Sequence, residues 1–106
     1  MPKYLIQATY TVDGAKGLLK DGGTKRREAA AAALKSAGAT LESFYYAFGD
    51  ADVYGVIDAP DHATMVGAAV AINASGAVVI KTTVLMTPEE IDQAVKKAVS
   101  YTPPGR

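Results

Sequence analysis

A chain of 106 residues suffices for one domain and is too short for two ordinary ones. Apolar residues make up 49% and charged residues 21%, and 11 basic residues balance 11 acidic ones, so the chain lacks the positive excess that nucleic acid or an anionic membrane would attract. There is no cysteine, hence no disulfide, thiolate metal site or cysteine nucleophile. The opening MPKYLIQATYTVDG has no basic region followed by a long apolar one, and no run approaches the ~18 apolar residues of a membrane span, so a cytoplasmic address is expected.

In chain order, Tyr4 to Val12 is rich in β-favouring residues and stops at Asp13-Gly14, which predicts a first strand. The weakly helical AKGLLK is broken by Asp21-Gly22-Gly23. Thr24 is then placed to cap a strong helix, KRREAAAAALKSAG, ended by Gly38, where a left-handed residue is easily accommodated. Leu41 to Phe48 and Asp52 to Asp58 read as two strands joined by the short connection Gly49-Asp50-Ala51. Pro60 and Asp61 open a second, alanine-rich helix to about Ala74. Ala77 to Met86, strongly β-branched, predicts a fourth strand. Thr87-Pro88-Glu89-Glu90 combines a capping box with proline at the first helical position, ahead of Ile91, Ala94, Val95, Ala98 and Val99 at helical spacing, so an amphipathic helix follows. One domain over residues 1–100 and an extended tail over 101–106, YTPPGR, complete the chain.

This βαββαβ order with an extra C-terminal helix is the plan of a ferredoxin-like α+β fold. Right-handed crossovers place the first and third strands at the centre of an antiparallel sheet and both main helices on one face. Strand alternation assigns Tyr4, Ile6, Ala8, Tyr10, Leu41, Ser43, Tyr45, Ala47, Val53, Gly55, Ile57, Val78, Ile80, Thr82 and Val84 to the core face. The opposite face then holds Leu5, Gln7, Thr9, Thr11, Glu42, Phe44, Tyr46, Phe48, Asp52, Tyr54, Val56, Val79, Lys81, Thr83 and Leu85. It is too apolar to stay wet and too polar for an ordinary core, which points to cover by a second copy of the chain and a cavity beneath it.

The segment AFGDADVYGVIDAPDH concentrates acids. Asp50 falls in a turn, Asp58 at a strand end and Asp61 at a helix N-cap, positions where aspartate serves nearby backbone N–H groups. Alternation sends only Asp52 to the open face, beside Tyr54. His62 is alone, with no histidine at metal-binding spacing, so no metal site is expected. Lys81, in mid-strand under a covered face, suits anion binding or service as a nucleophile or base; the structural alternatives are a snorkelling lysine or an inter-subunit ion pair with Glu42. Lys25, Arg26 and Arg27 crowd a helix start, where they serve salt bridges or, with the free N–H groups of Gly22 to Thr24, a weak anion site. DVYGVID lacks the basic start and repeated aromatics of an RNA-reading strand.

The basic KRREA helix start, FYYAFGDADVYGVIDAPD, KTTVLMTPEEIDQAVKKAV and the Tyr-x-Pro-Pro-Gly tail resemble the GYD-domain family, small bacterial and archaeal proteins related in architecture to the dimeric α+β-barrel superfamily. The family's glycine-tyrosine-aspartate signature is matched at its ends by Gly49 and Asp52, while Ala51 stands where the tyrosine is usual, so the aromatic's role is absent or passes to Tyr54. The resemblance implies a ferredoxin-like, dimeric α+β-barrel-like fold and self-association rather than an activity. The superfamily's lactone isomerisation, monooxygenation and cyclisation of aromatic compounds are analogies only. The resulting expectation is a homodimer or higher oligomer without a cofactor. It binds a small aromatic or anionic molecule over the open face through Gln7, Thr9, Tyr46, Tyr54, Lys81 and Thr83, with Asp52 or Lys81 the candidates for any proton transfer. The competing expectation is a structural or interaction module with no ligand.

Overall fold

The computed structural model describes residues 1–106. Strand β1 (Lys3–Tyr10) leads into two consecutive helices, α1 (Val12–Asp21) and α2 (Gly23–Ser36); β2 (Thr40–Tyr46), β3 (Val53–Asp58), α3 (His62–Ala74), β4 (Val78–Leu85) and α4 (Pro88–Ala94) follow. The four strands form one antiparallel sheet in the order β2-β3-β1-β4, which is the expected ferredoxin-like α+β arrangement with the first and third strands central. On one face Tyr4, Ile6 and Ile57 are buried against Leu34 of α2 and Met65 and Ala68 of α3.

Three local readings of the sequence are corrected. The first strand ends at Tyr10, not Val12, and Asp13-Gly14 is the start of a ten-residue helix rather than a turn. Thr11 caps that helix by accepting the Gly14 N–H, and its own N–H donates to the Ala77 carbonyl. Glycine is required at position 14 because a Cβ would lie 1.9 Å from the Ala77 oxygen. Thr24 does not cap α2: the cap is Gly22, with φ of 82°, and it makes no side-chain capping bond. The capping box of Thr87 and Glu90 is formed as expected, but α4 stops at Ala94 and leaves Ala98 and Val99 outside it. A helix this short depends on packing for its last turns, and no other element packs extensively on this one.

The fourth correction bears on function. Leu41 pairs with Ile57, yet Ser43 pairs with Val56 and Phe44 with Gly55, so Glu42 is an extra residue in β2. Such a bulge reverses the alternation beyond it. Phe44 and Tyr46 therefore join the helix-covered face, where sequence alternation had put Ser43 and Tyr45, and those two take the open face.

Residues 86–102 are exposed throughout. Their projection from the body gives the chain a radius of gyration of 17.1 Å and a length of 58 Å, where a compact chain of this size has a radius near ~13 Å.

Candidate functional site

On the open face, strand register lines up Lys81, Gln7, Tyr54 and Tyr45 in a single row across β4, β1, β3 and β2. Paired residues in a row stand close enough for their side chains to meet. The next row toward the β1 start is Thr83, Leu5, Val56 and Ser43, and Thr9 pairs with Val79 on the other side. Five of the six expected ligand residues, Gln7, Thr9, Tyr54, Lys81 and Thr83, thus share one surface. Tyr46 does not, and Tyr45 occupies the place it was given.

Lys81 is exposed and has no carboxylate within ion-pair reach. Within the protomer Glu42 joins Asp58 in holding Lys3. The hydrogen bonds that the Lys3 ammonium donates to Asp58, and then to Glu42, raise its affinity for its proton. Of the three acids expected to serve backbone N–H groups, only Asp61 does so: its carboxylate accepts the Thr64 N–H at 2.8 Å, which holds it below its usual acidity range, whereas Asp58 accepts from the Lys3 side chain and Asp50 makes no such bond. The His62 Nδ1 lies 2.6 Å from the hydroxyl oxygen of buried Tyr4.

Asp52 is displaced from its expected place beside Tyr54. It precedes β3, and its carboxylate accepts the Tyr10 N–H at 2.9 Å. There it lines a recess with Tyr10, Leu18, Tyr46 and Phe48. The Tyr46 hydroxyl donates to the Gly23 carbonyl at 2.9 Å, and its ring meets Phe44 edge-on at 5.2 Å. Burial first, and the Tyr46 hydroxyl second, push the Tyr10 phenol up to about 12.

A second space continues from Tyr10 beneath the helices. Helix α2 lies mainly over β2 and α3 over β4. The side chains facing between them are small, Ala29, Ala30 and Ala33 on one helix and Ala71 on the other, and they leave a cavity of about 330 Å³ floored by Ile6, Val53 and Ile57. Sealed and empty, a space of 330 Å³ would cost on the order of 8 kcal/mol at ~24 cal/mol per Å³, comparable with the whole stability of a small domain. It is not sealed, since Ala29, Ala33 and Ala71 at its rim are solvent-exposed.

Among the basic residues at the start of α2, Lys25 and Arg26 face Asp21 at 3.9 and 3.6 Å. Arg27 borders a shallow depression with Thr24, Phe44 and Tyr46, whereas Arg26 reaches the cavity between the helices. Sequence reasoning missed that cavity and the position of Tyr10 in it. The signal was present in AAAAALKSAG and in GAAVAINA, two helices whose inward residues are too small to meet over a sheet.

No helix is long and apolar enough to cross a membrane. No curated protein and no solved structure matches the sequence closely enough for comparison. The family model described as the GYD domain matches residues 4–95, most of the chain, and takes in all four helices and, but for Lys3, all four strands of the sheet, and the chain accordingly belongs to the GYD-domain family.

Proposed function

We propose that this GYD domain self-associates through its open sheet face and binds a small aromatic or anionic molecule there. The observation that carries the reading is the row of Lys81, Gln7, Tyr54 and Tyr45: a cation, an amide and two phenols side by side on a face that no helix covers. Lysine and amide donors fix an anionic group, and the tyrosine rings supply flat apolar area with a hydroxyl at the edge. Thr9 and Thr83 border the row and add hydroxyls. A second copy laid over this face desolvates Lys81 and strengthens its hold on an anion. Any proton transfer at this surface falls to Lys81, because the Asp52 carboxylate is engaged by the Tyr10 N–H.

The C-terminal arm favours a second reading, an interaction module with no ligand. Ile91, Val95, Val99 and Tyr101 are all exposed on a segment that projects from its own body, and such a stripe is suited to the surface of a neighbour. Native mass spectrometry of protein purified without chelators or added ligands separates the two. An oligomer with a reproducible extra mass, lost in Lys81→Ala or Tyr54→Phe, supports the ligand reading and gives the ligand's mass. An oligomer with no adduct selects the interaction module, and a monomer removes the covered face on which both depend.

A further inference from the structure

We propose that the cavity between α2, α3 and the sheet is a second binding site, on the opposite side of the sheet from the open face, and that it takes a monocarboxylic acid with a compact apolar body, such as an aryl-acetic or short aliphatic acid. At about 330 Å³ the space lies at the small end of ligand pockets. Seventeen of its nineteen lining residues are hydrophobic, so its occupant is apolar over most of its surface. Leu34, Ile57 and Met65, each almost wholly buried, form the deep wall.

The two polar lining residues are Arg26 and Ser75. Ser75 is spent: its hydroxyl donates to the Ile72 carbonyl and accepts the Ala77 N–H. Arg26 is not. Its only acidic neighbour, Asp21, stands at 3.6 Å, beyond a good hydrogen bond, and is shared with Lys25. The guanidinium therefore keeps a fork of donors matched to the two oxygens of a carboxylate. The phenol of Tyr10, also on the cavity wall, is engaged by the Tyr46 hydroxyl and leaves Arg26 as the free donor. One charged, forked donor at the end of an otherwise apolar space selects a ligand with one anionic head and a hydrocarbon remainder.

The test is methyl NMR of the full chain titrated with phenylacetate, hexanoate and the neutral phenylacetamide. Saturable shifts of the Ile57, Met65 and Ile72 methyls, with phenylacetate favoured over the amide by about tenfold, are expected. Arg26→Gln should erase that preference while the protein stays folded, since Arg26 is at the surface end of the cavity. Ala33→Leu should fill the space and abolish the shifts, with thermal stability kept or raised. Acid and amide binding equally would overturn the role of Arg26, and no saturation up to about 10 mM would overturn the site. Shifts centred instead on Leu5 and Val56 would overturn it too and transfer the binding to the open face, so failure here is distinguishable from failure of the open-face reading.

Discussion

Ile57 and Val56 are neighbours in β3 and point to opposite sides of the sheet. Ile57 is 0% exposed, closed over by Leu34 and Met65, whereas Val56 stands in a row with Leu5, Thr83 and Ser43 that no helix covers. The backbone ladder that carries them is the same. The difference lies only in what lies on top, which leaves the protomer finished on one face and bare on the other. The largest expected effect tests this directly. Ile57→Ala should cost about 2–5 kcal/mol in urea unfolding, the range for a large-to-small change in a core. Val56→Ala should cost about 0.5 kcal/mol in dilute protein, and the proposed cover by a second copy would raise that cost with protein concentration. Equal penalties at all concentrations would abolish the contrast between the faces.

The bulge at Glu42 supplies a second pair of adjacent residues on opposite faces. Tyr46 looks toward α2 and donates to Gly23, while Tyr45 is 70% exposed and makes no side-chain hydrogen bond within the protomer. Tyr46→Phe should therefore destabilise the fold by about 1 kcal/mol, and Tyr45→Phe should leave it within about 0.5 kcal/mol. The same two variants sharpen the comparison at the level of assembly: Tyr45→Phe is the one expected to alter an adduct held on the open face. Were the penalties reversed, the uninterrupted alternation of the sequence would be right and the bulge wrong.

These pairs also mark how much of the fold is legible in the sequence. Strand order, the helix-covered side of β1, β3 and β4, and the caps at Asp61 and Thr87 follow from periodicity and capping chemistry, which are local. The bulge is not local. Nothing in TLESFYY distinguishes an even strand from one with an extra residue. The shift arises because Glu42 reaches Lys3 of the distant β1 start while Leu41 and Phe44 both seek the core. The start of helix α1 is hidden for a related reason. Thr9 to Val12 favours a strand and Asp13-Gly14 favours a turn, and only the approach of Gly14 to the Ala77 carbonyl explains glycine inside a helix there. Of the candidate site, five residues kept their face because β1, β3 and β4 are regular. Tyr46 and Asp52 lost theirs, the first beyond the bulge and the second just outside the strand.

The smallest expected effect concerns Tyr10, which is on the finished face and is the one side chain shared by the cavity and the recess beside it. Burial and the Tyr46 hydroxyl raise its phenol from 10.0 to about 12, with Asp52 adding to the rise and Arg26 opposing it. The folded chain thus holds this proton more tightly than the unfolded chain does. Its contribution to stability is complete below pH 10 and is lost as pH climbs through about 12. Ultraviolet titration of the phenolate band should show a component near pH 12 that is absent in Tyr10→Phe and shifts down in Tyr46→Phe. Arg26→Gln should move it up, because the guanidinium is the neighbour that favours phenolate. If Arg26→Gln leaves that component in place, the guanidinium is not at the Tyr10 end of the cavity, and the finished face then offers no charged group to set against Lys81 on the open one.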